Sequence, residues 1–351
     1  MRSNAVSGRD LSDVLPRKVL VIKPSALGDV VHGLTFLHAI TDRFPHAEVQ
    51  WVVARGLDGI LQDNPKISRL WIIDKDRWKR LDSAGETLRA LWGLGRDLRA
   101  ERFDWVVDLQ GLFRSGLIAG LTRCSVRIGF REGREGSPFF YTHRVRGGRD
   151  VHAIDRYLEI ARFLGCSADP VRHAFSPPVE SPLLATLPEQ YAVMAPSAGG
   201  EAKKWPAERF GELASRLPWT SLVVAGKADA GLASVVVDHS AGRAVSLAGR
   251  TSLRELVEII RRAKWLISND TGPMHIAAGL NVPVLALFGP TSPDRTGPYG
   301  DMHTIVRSSL PCSPCFKRGK CAQWRCMEGI SVEQVLSVLE SAQDRIERRS
   351  G

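Results

Sequence analysis

Short runs of apolar residues alternate with amphipathic stretches throughout the first half of this sequence. The runs are rich in β-branched and aromatic residues, which indicates buried strands, whereas the stretches repeat apolar residues every three or four positions, which indicates helices. Strands are predicted at 18–23, 49–53, 70–73, 105–109 and 126–130, and helices at 28–43, 86–102 and 152–164. This strand–helix alternation is typical of a parallel sheet covered by helices.

A proline-rich stretch interrupts the alternation, which then begins again. Residues 166–190 contain five prolines, a composition that favours an irregular connection over a helix or a strand. Beyond this stretch, strands are predicted at 191–195, 222–225, 265–268 and 282–288, and helices at 207–217, 253–260, 272–279 and 331–348. The second half therefore has the same kind of architecture as the first.

The pattern predicts an α/β protein with two tandem, Rossmann-like, doubly wound domains. A ligand is expected in a cleft between them, at the carboxyl ends of the strands of both sheets. The predicted division is a flexible leader at 1–16, an N-terminal domain at 17–165, a linker at 166–190, a C-terminal domain at 191–330 and a C-terminal helix at 331–351. The leader lacks the apolar core of a secretory signal, and no apolar run approaches the roughly 18 residues of a membrane span.

The net charge of +10 lies mostly in the first half. Residues 1–165 carry 27 Lys and Arg against 20 Asp and Glu, and residues 127–149 contain six arginines. An excess of positive charge suits an anionic partner such as a phosphorylated lipid, an acidic sugar or a membrane surface, although solvated surface charge is an equal alternative. Nucleic acid is disfavoured because the sequence contains no zinc finger, RNP-type aromatic motif or convincing helix-turn-helix.

The first candidate site is the turn that follows the first predicted strand, Lys-Pro-Ser-Ala-Leu-Gly-Asp-Val-Val-His at 23–32. Gly28 allows the backbone to approach a ligand closely, and Asp29 falls in the first turn of the next helix. This turn presents a carboxylate at the edge of a sheet where α/β folds bind ligands. The alternative is that Asp29 only complements the helix dipole.

Two turns in the second half are suited to phosphate. Ser197 begins a run of small residues that permits close backbone approach, and Lys203 and Lys204 can neutralise a departing diphosphate. The turn at 270–272 offers backbone N–H groups, the positive end of a helix, a hydroxyl and a carboxylate. Each feature also has a plain structural interpretation, as a solvated lysine pair and as a helix cap.

Several common cofactor and hydrolase motifs are absent from the sequence. The first strand is not followed by G-x-G-x-x-G, no G-x-x-x-x-G-K-[ST] occurs, and G-x-S-x-G with a downstream acid and histidine is missing. These absences argue against a dinucleotide-dependent dehydrogenase, a P-loop ATPase and an α/β-hydrolase.

Four of the six cysteines form a compact cluster near the C-terminus. Their spacing suits a structural tetrahedral zinc site or an iron–sulfur cluster, while disulfides and reduced packing thiols are alternatives. The cluster consists of Cys312, Cys315, Cys321 and Cys326, with Lys317, Arg318 and Lys320 inside the loop.

In these motifs the sequence resembles glycosyltransferase family 9, the ADP-heptose:lipopolysaccharide heptosyltransferases, over roughly residues 18–345. The resemblance rests on the 23–32 stretch, on DLQGLFRS at 108–115, AKKWP at 202–206, NDTGPMHIAA at 269–278 and FGPTSP at 288–293. The family has the two-domain GT-B architecture, transfers sugar with inversion and requires no metal. Two features depart from it. Gly199 and Gly200 stand where some members have hydroxyl-bearing residues, and the four-cysteine loop occurs in only part of the family.

The resemblance implies a role for each candidate residue. Asp29 resembles the general base that takes a proton from the acceptor hydroxyl, and Lys203 resembles the lysine that stabilises the leaving ADP. The residues expected to bind the donor are Ser197, Lys203, Lys204, Asp270, Thr271, Gly272 and His275. Those expected to bind the acceptor are Ser25, Gly28, Gln110 and Arg114, with the arginine-rich 127–149 segment facing Kdo carboxylates or lipid A phosphates.

The expected function is transfer of heptose from an ADP-sugar to a Kdo–lipid A type glycolipid acceptor, extending Kdo or a first heptose. The expected enzyme is cytoplasmic, monomeric and peripheral to the anionic inner face of the membrane. Alternatives are a family 9 transferase with another nucleotide sugar or acceptor, a nucleotide-sugar epimerase on the same architecture, and a binding protein without chemistry.

Overall fold

The computed structural model describes residues 14–74, 84–148, 150–316 and 325–350, together with residues 11 and 321. Most of the predicted leader at 1–16, Arg149, and the lysines and arginine of the cysteine loop lie outside the described residues. The chain divides into two compact units, Met1–Pro177 and Pro178–Gly351. The division falls inside the proline-rich stretch at 166–190, and each unit contains one sheet.

The first unit contains a six-stranded, fully parallel sheet in the order β3-β2-β1-β4-β5-β6. Its strands are β1 (Lys18–Ile22), β2 (Glu48–Ala54), β3 (Arg69–Ile73), β4 (Trp105–Asp108), β5 (Val126–Phe130) and β6 (His143–Val145). Its helices are α1 (Leu27–Arg43), α2 (Ala84–Ala100), α3 (Phe113–Leu121) and α4 (Ala153–Phe163).

The central strands of this sheet are buried on both faces. Leu20 and Ile22 of β1 pack in one core cluster with Val106 of β4, Leu98 of α2 and Ile118 of α3. Complete burial of such a side chain contributes about 1.5–3 kcal/mol, so this apolar layer fixes where the ends of β1 and β4 lie.

The second unit contains another fully parallel sheet, in the order β12-β11-β10-β7-β8-β9. Its strands are β7 (Tyr191–Ala195), β8 (Thr220–Val223), β9 (Ala244–Ser246), β10 (Trp265–Asn269), β11 (Val284–Phe288) and β12 (Thr304–Arg307). Its helices are α5 (Pro182–Ala185), α6 (Ala207–Arg216), α7 (Ala230–Asp238), α8 (Leu253–Arg261), α9 (Gly272–Gly279), α10 (Pro293–Thr296), α11 (Arg325–Glu328) and α12 (Val332–Ser350).

Both sheets have the doubly wound strand order, which confirms the predicted fold class. Chain direction across the sheet reverses between β1 and β4 in the first unit, and between β7 and β10 in the second. Ligands in open α/β sheets bind beyond the carboxyl ends of the strands at such a reversal. The candidate turns at 23–29, 108–114, 196–204 and 270–272 follow β1, β4, β7 and β10 respectively.

The predicted central strands are confirmed, whereas three edge strands were not predicted. The missed strands are β6, β9 and β12, each of three or four residues with only one or two buried positions. Short edge strands bury little apolar surface and so produce a weak hydrophobic signal. The nine-residue α7 and the short helices α5, α10 and α11 were not predicted either, and α5 lies within the stretch at 166–190 that was predicted to be irregular.

Serine side chains cap two helices of the second unit. Ser252 Oγ accepts the Glu255 N–H at 3.2 Å, and the Glu255 carboxylate accepts the Ser252 N–H at 2.8 Å. Ser331 Oγ accepts the Gln334 N–H at 3.1 Å at the start of α12. None of the helices among the described residues is long and apolar enough to cross a membrane.

Gly129 of β5 supports the site by leaving room for an aromatic ring. A Cβ at this position would lie 2.4 Å from Tyr141 Cε2, so Gly129→Ala must displace the Tyr141 ring. Overpacking of this kind costs about 1–3 kcal/mol, and the thermal unfolding midpoint should fall accordingly. Gly93→Ala is the control, because nothing lies within 4 Å of a Cβ there. A midpoint of Gly129→Ala equal to that of Gly93→Ala would contradict the close packing of the Tyr141 ring against Gly129.

Candidate active site

Asp29 is held from several sides at the start of α1. Its Oδ2 accepts the Ala26 N–H at 3.1 Å and lies 3.6 Å from Lys23 Nζ. The Tyr157 hydroxyl of α4 donates to the other oxygen, Oδ1, at 3.5 Å. The side chain keeps 39% of its accessible surface. Asp29 therefore accepts the N–H of the N-cap residue of its own helix, and its place in the first turn also suits the helix dipole. It presents a fixed carboxylate to solvent as well.

Lys23 is a buried cation behind this carboxylate. Its side chain is only 3% exposed, and its Nζ lies 5.3 Å from the centre of the Tyr157 ring. Burial lowers the pKa of Lys23 below its ordinary value, and the charges of Asp29 and Asp108 oppose this effect. A buried charge is tolerated only when it is paired, so Lys23 and Asp29 position each other.

Asp108 fixes the turn that follows β4. Its carboxylate accepts the Tyr141 hydroxyl at 2.6 Å, the Gln110 N–H at 2.8 Å and the Gly111 N–H at 3.1 Å. Burial raises the pKa of Asp108 above its ordinary value, although these hydrogen bonds oppose the rise. Gly111 has φ of +67°, a conformation that glycine adopts readily.

The predicted acceptor residues are only partly brought together. Gln110 Oε1 accepts the Ser25 N–H at 3.4 Å, which joins the turns after β1 and β4. Gly28 is buried in the first turn of α1, close to Asp29 in sequence. Arg114 is exposed in the first turn of α3 and has no side-chain partner among the described residues. Their roles in acceptor binding stay predictions.

In the second unit, Lys203 forms an ion pair with Asp270 at 2.5 Å. The two side chains are 14% and 7% exposed, and Thr291 Oγ1 also donates to Asp270 Oδ2 at 2.9 Å. A lysine ammonium has three N–H donors, so Lys203 can remain bound to Asp270 and still donate to a phosphate oxygen. The ion pair holds the cation at the carboxyl end of β10.

The turn after β10 opens helix α9. Thr271 is the N-cap residue, but its side chain makes no capping hydrogen bond, so the hydroxyl is not used by the helix. Gly272 is the first helical residue, and Pro273 has no N–H to leave unsatisfied. His275 is buried further along this helix. The positive end of α9 and a hydroxyl thus lie next to the carboxylate of Asp270.

The loop after β7 is tied to the same strand end. The Asn269 side chain donates to the Pro196 carbonyl at 2.6 Å and accepts the Trp205 N–H at 3.1 Å. Within this loop the Ser197 hydroxyl is buried and has no hydrogen-bond partner in the part of the chain that the structure describes. Buried polar groups are normally paired, so this hydroxyl fits the predicted donor contact.

Lys204 does not pair with Asp270, the partner of Lys203. Its ammonium pairs with Glu201 at 2.6 Å and lies 3.9 Å from Asp229. These contacts differ from the solvated lysine pair of the alternative interpretation, and the role of Lys204 in donor binding stays a prediction.

Several site residues were not predicted from sequence. Two of them could have been recognised by their position beside a buried strand: Lys23 directly follows β1, and Asp108 ends β4. Asn269 carried the same kind of signal, since it ends the buried strand β10. Tyr141 and Tyr157 carried none, because Tyr157 is 128 residues from Asp29 and nothing in a local pattern links them.

None of the four cysteines of the loop forms a disulfide within the described part of the chain, and they differ in burial. Cys326 is buried, and burial raises the pKa of its thiol, with the neighbouring Cys315 and Cys321 adding to the rise. No group of three or more potential ligand side chains is arranged to hold a metal ion within the described residues. That description lacks 317–320 and 322–324, and the zinc site stays a prediction.

Comparison with known proteins identifies the family. The family model described as Glycosyltransferase family 9 (heptosyltransferase) matches residues 91–324, which is two thirds of the chain. The chain belongs to glycosyltransferase family 9. This transferase is 31% identical over 325 residues to lipopolysaccharide heptosyltransferase 1 of Pseudomonas aeruginosa, covering 86% of each chain. It is 27% identical over 310 residues to lipopolysaccharide heptosyltransferase 1 of Escherichia coli K12, covering 83% of this chain and 93% of the relative.

Solved structures agree with the family in fold. The transferase has a TM-score of 0.78 to the glycosyl transferase family 9 structure from Veillonella parvula, at 24% identity over 93% of this chain and 97% of that chain. The TM-score to E. coli heptosyltransferase WaaC with ADP-2-deoxy-2-fluoro heptose is 0.75, at 24% identity over 92% of this chain and 99% of that chain. The predicted resemblance and the enzyme class are thus confirmed.

The contacts of Tyr157 make a specific prediction for this family 9 transferase. Tyr157→Phe keeps the buried ring beside Lys23 but removes the donor to Asp29. Turnover should fall roughly three- to ten-fold with the donor KM unchanged, as expected for one modest hydrogen bond. The matched control is Tyr191→Phe, which loses a buried hydroxyl bonded to the Ile259 carbonyl at 2.8 Å in the second unit. Equal turnover in the two variants would show that the Tyr157 hydroxyl has no part in positioning Asp29.

Proposed function

We propose that this family 9 glycosyltransferase moves a heptose from an ADP-heptose donor to Kdo or the first heptose of the lipopolysaccharide inner core. The names of the relatives from P. aeruginosa and E. coli support lipopolysaccharide as the acceptor. The fold shared with heptosyltransferase WaaC supports the donor, because that structure contains an ADP-heptose analogue. The observation that carries the proposal is the fixed, solvent-accessible carboxylate of Asp29, just beyond the carboxyl end of the central strand β1.

Asp29 acts as the general base in this proposal. As the acceptor oxygen attacks the anomeric carbon of the donor, the bond from that carbon to ADP breaks on the opposite face. The hydroxyl proton passes to Asp29, and the anomeric centre is inverted. A carboxylate is a weak base for an alcohol, so the proton must leave late, when the oxygen is already bonding to carbon.

The second unit provides for the negative charge that develops on ADP. Lys203 is held by Asp270 with N–H donors to spare, and the start of α9 offers a positive helix end. Groups fixed where charge develops lower the barrier without reorganising. We propose that these groups perform the leaving-group stabilisation and that no metal is required.

The acceptor side is suited to an anionic glycolipid. Arg114, Arg131 and Arg134 are exposed, and none has a side-chain partner among the described residues. Guanidinium groups recognise carboxylates and phosphates with paired hydrogen bonds, as Kdo and lipid A would require. We place the enzyme, as a monomer, at the cytoplasmic face of the membrane, where such an acceptor is available.

Acceptor-dependent release of ADP tests this function. With ADP-heptose and a Kdo–lipid A acceptor, ADP should appear together with a glycolipid one heptose heavier. Without the acceptor, release should fall at least about 100-fold, because only the acceptor supplies the positioned nucleophile. UDP- and GDP-sugars serve as matched controls for the donor.

Three results would count against the proposal. Sugar isomerisation without any acceptor would indicate an epimerase, and preferred use of another nucleotide sugar would indicate a different transferase. Loss of turnover after dialysis against a chelator, restored by added divalent metal, would contradict the metal-independent mechanism.

A further inference from the structure

One aromatic side chain of the first unit is almost fully exposed on a short turn. Phe139 retains 86% of its accessible surface, the largest fraction among the exposed large hydrophobic residues of the described chain. It lies in a single 3₁₀ turn, Ser137–Phe140. An isolated exposed aromatic residue is common and needs no function. The residues around Phe139 therefore determine whether it belongs to an interaction surface.

The turn that carries Phe139 is firmly anchored. Ser137 is fully buried, and the Phe140 ring lies against α3, where a Cβ on Gly116 or Gly120 would come within 3.0 Å of it. Arg127 Nε donates to the Phe140 carbonyl at 2.7 Å. These contacts hold Ser137 and Phe140 in place on either side of Phe139. The Phe139 ring is therefore exposed on a well-anchored turn.

A second exposed aromatic residue extends the apolar surface. Phe113, at the first position of α3, is 47% exposed and packs edge-on against Phe140 with ring centres 5.6 Å apart. The Phe113 N–H donates to Glu135 at 3.3 Å. We define Phe113, Phe139 and Phe140 as the phenylalanine patch.

The charges around the patch are predominantly positive. Arg114, Arg131 and Arg134 are exposed and have no side-chain partner among residues 14–74, 84–148 and the other described ranges. Two acidic residues lie in the same segment, and each accepts a backbone N–H: Glu132 that of Gly147 at 3.1 Å and Glu135 that of Phe113 at 3.3 Å. Apolar rings within a group of unpaired cations match the interface of an anionic bilayer.

The patch lies beside the acceptor half of the site. The Arg134 N–H donates to the Gly111 carbonyl at 2.8 Å, and Gly111 directly follows Gln110. Gln110 in turn accepts the Ser25 N–H, four residues before Asp29. A lipid surface in contact with the patch would therefore bring a glycolipid headgroup close to the base.

We propose that the phenylalanine patch and the surrounding arginines dock the enzyme on an anionic lipid surface. This inference rests on the proposed function, because the membrane would supply the glycolipid acceptor. The phenyl rings enter the headgroup region, while Arg114, Arg131 and Arg134 contact lipid phosphates.

Cosedimentation of the full chain with lipid vesicles tests the docking surface. The wild type should bind phosphatidylglycerol-containing vesicles and release them at high salt, and it should bind pure phosphatidylcholine vesicles weakly. Phe139→Ser should weaken binding to the anionic vesicles about 10- to 100-fold, because burial of a phenyl ring is lost. Phe139→Trp should bind like the wild type.

Trp92→Ser is the matched control, because Trp92 is also an exposed aromatic residue, at 67%, but lies on α2 outside the patch. It should bind vesicles like the wild type. Equal vesicle binding by Phe139→Ser and the wild type, or an equal loss in Trp92→Ser, would overturn the proposal. A wild-type dimer that dissociates in Phe139→Ser without any change in vesicle binding would assign the patch to self-association and overturn it as well.

Turnover separates this inference from the proposed function. Phe139→Ser should turn over a soluble, deacylated acceptor at the wild-type rate but a vesicle-embedded glycolipid at least about 10-fold more slowly. Failure of the wild type on both acceptors would refute the proposed function, whereas vesicle binding would still report on the patch. Equal rates of the variant and the wild type on the embedded acceptor would refute the docking role.

Discussion

The strand order of the two sheets is the constraint on which the site depends. In each sheet the chain starts at a central strand, adds strands toward one edge, and then returns to the centre to add strands toward the other edge. The turns that follow the two central strands therefore lead away from each other, which leaves room for a ligand between them. In the first unit these strands are β1 and β4, and in the second they are β7 and β10. Every residue for which we propose a role in proton transfer or leaving-group stabilisation follows one of these four strands.

The two units use this shared geometry for opposite charges. The first presents the Asp29 carboxylate, with the cation Lys23 buried behind it. The second presents the cation Lys203, with the carboxylate Asp270 buried behind it. In both cases the buried partner holds the more exposed group in place. In the proposed transfer, Asp29 takes a proton from the acceptor and Lys203 meets the negative charge on the departing ADP. A transferase needs both, because one substrate loses a proton while the other gains negative charge on departure.

The alternation of apolar runs was sufficient to predict the fold class and the central strands, since buried strands carry a strong hydrophobic signal. The same pattern placed Asp29, Lys203 and Asp270 in segments that follow predicted strands. It could not predict the contacts of Tyr157 or Asn269, because these contacts join segments that are distant in sequence. It also missed the edge strand β6, where partial exposure weakens the pattern. The division of labour between donor and acceptor residues came from family resemblance, since a carboxylate in a first helical turn has a sufficient structural explanation.

The central claim is that Asp29 and Lys203 perform separate steps of one transfer. Its most direct test measures turnover and ADP affinity in Asp29→Asn and Lys203→Met. Asp29→Asn should lower turnover about 100- to 10,000-fold and leave the ADP dissociation constant within about two-fold of wild type, because only the base is lost. Lys203→Met should weaken ADP binding as well as turnover, because it removes a cation from the phosphate side. Turnover near the wild-type rate in Asp29→Asn would contradict the account.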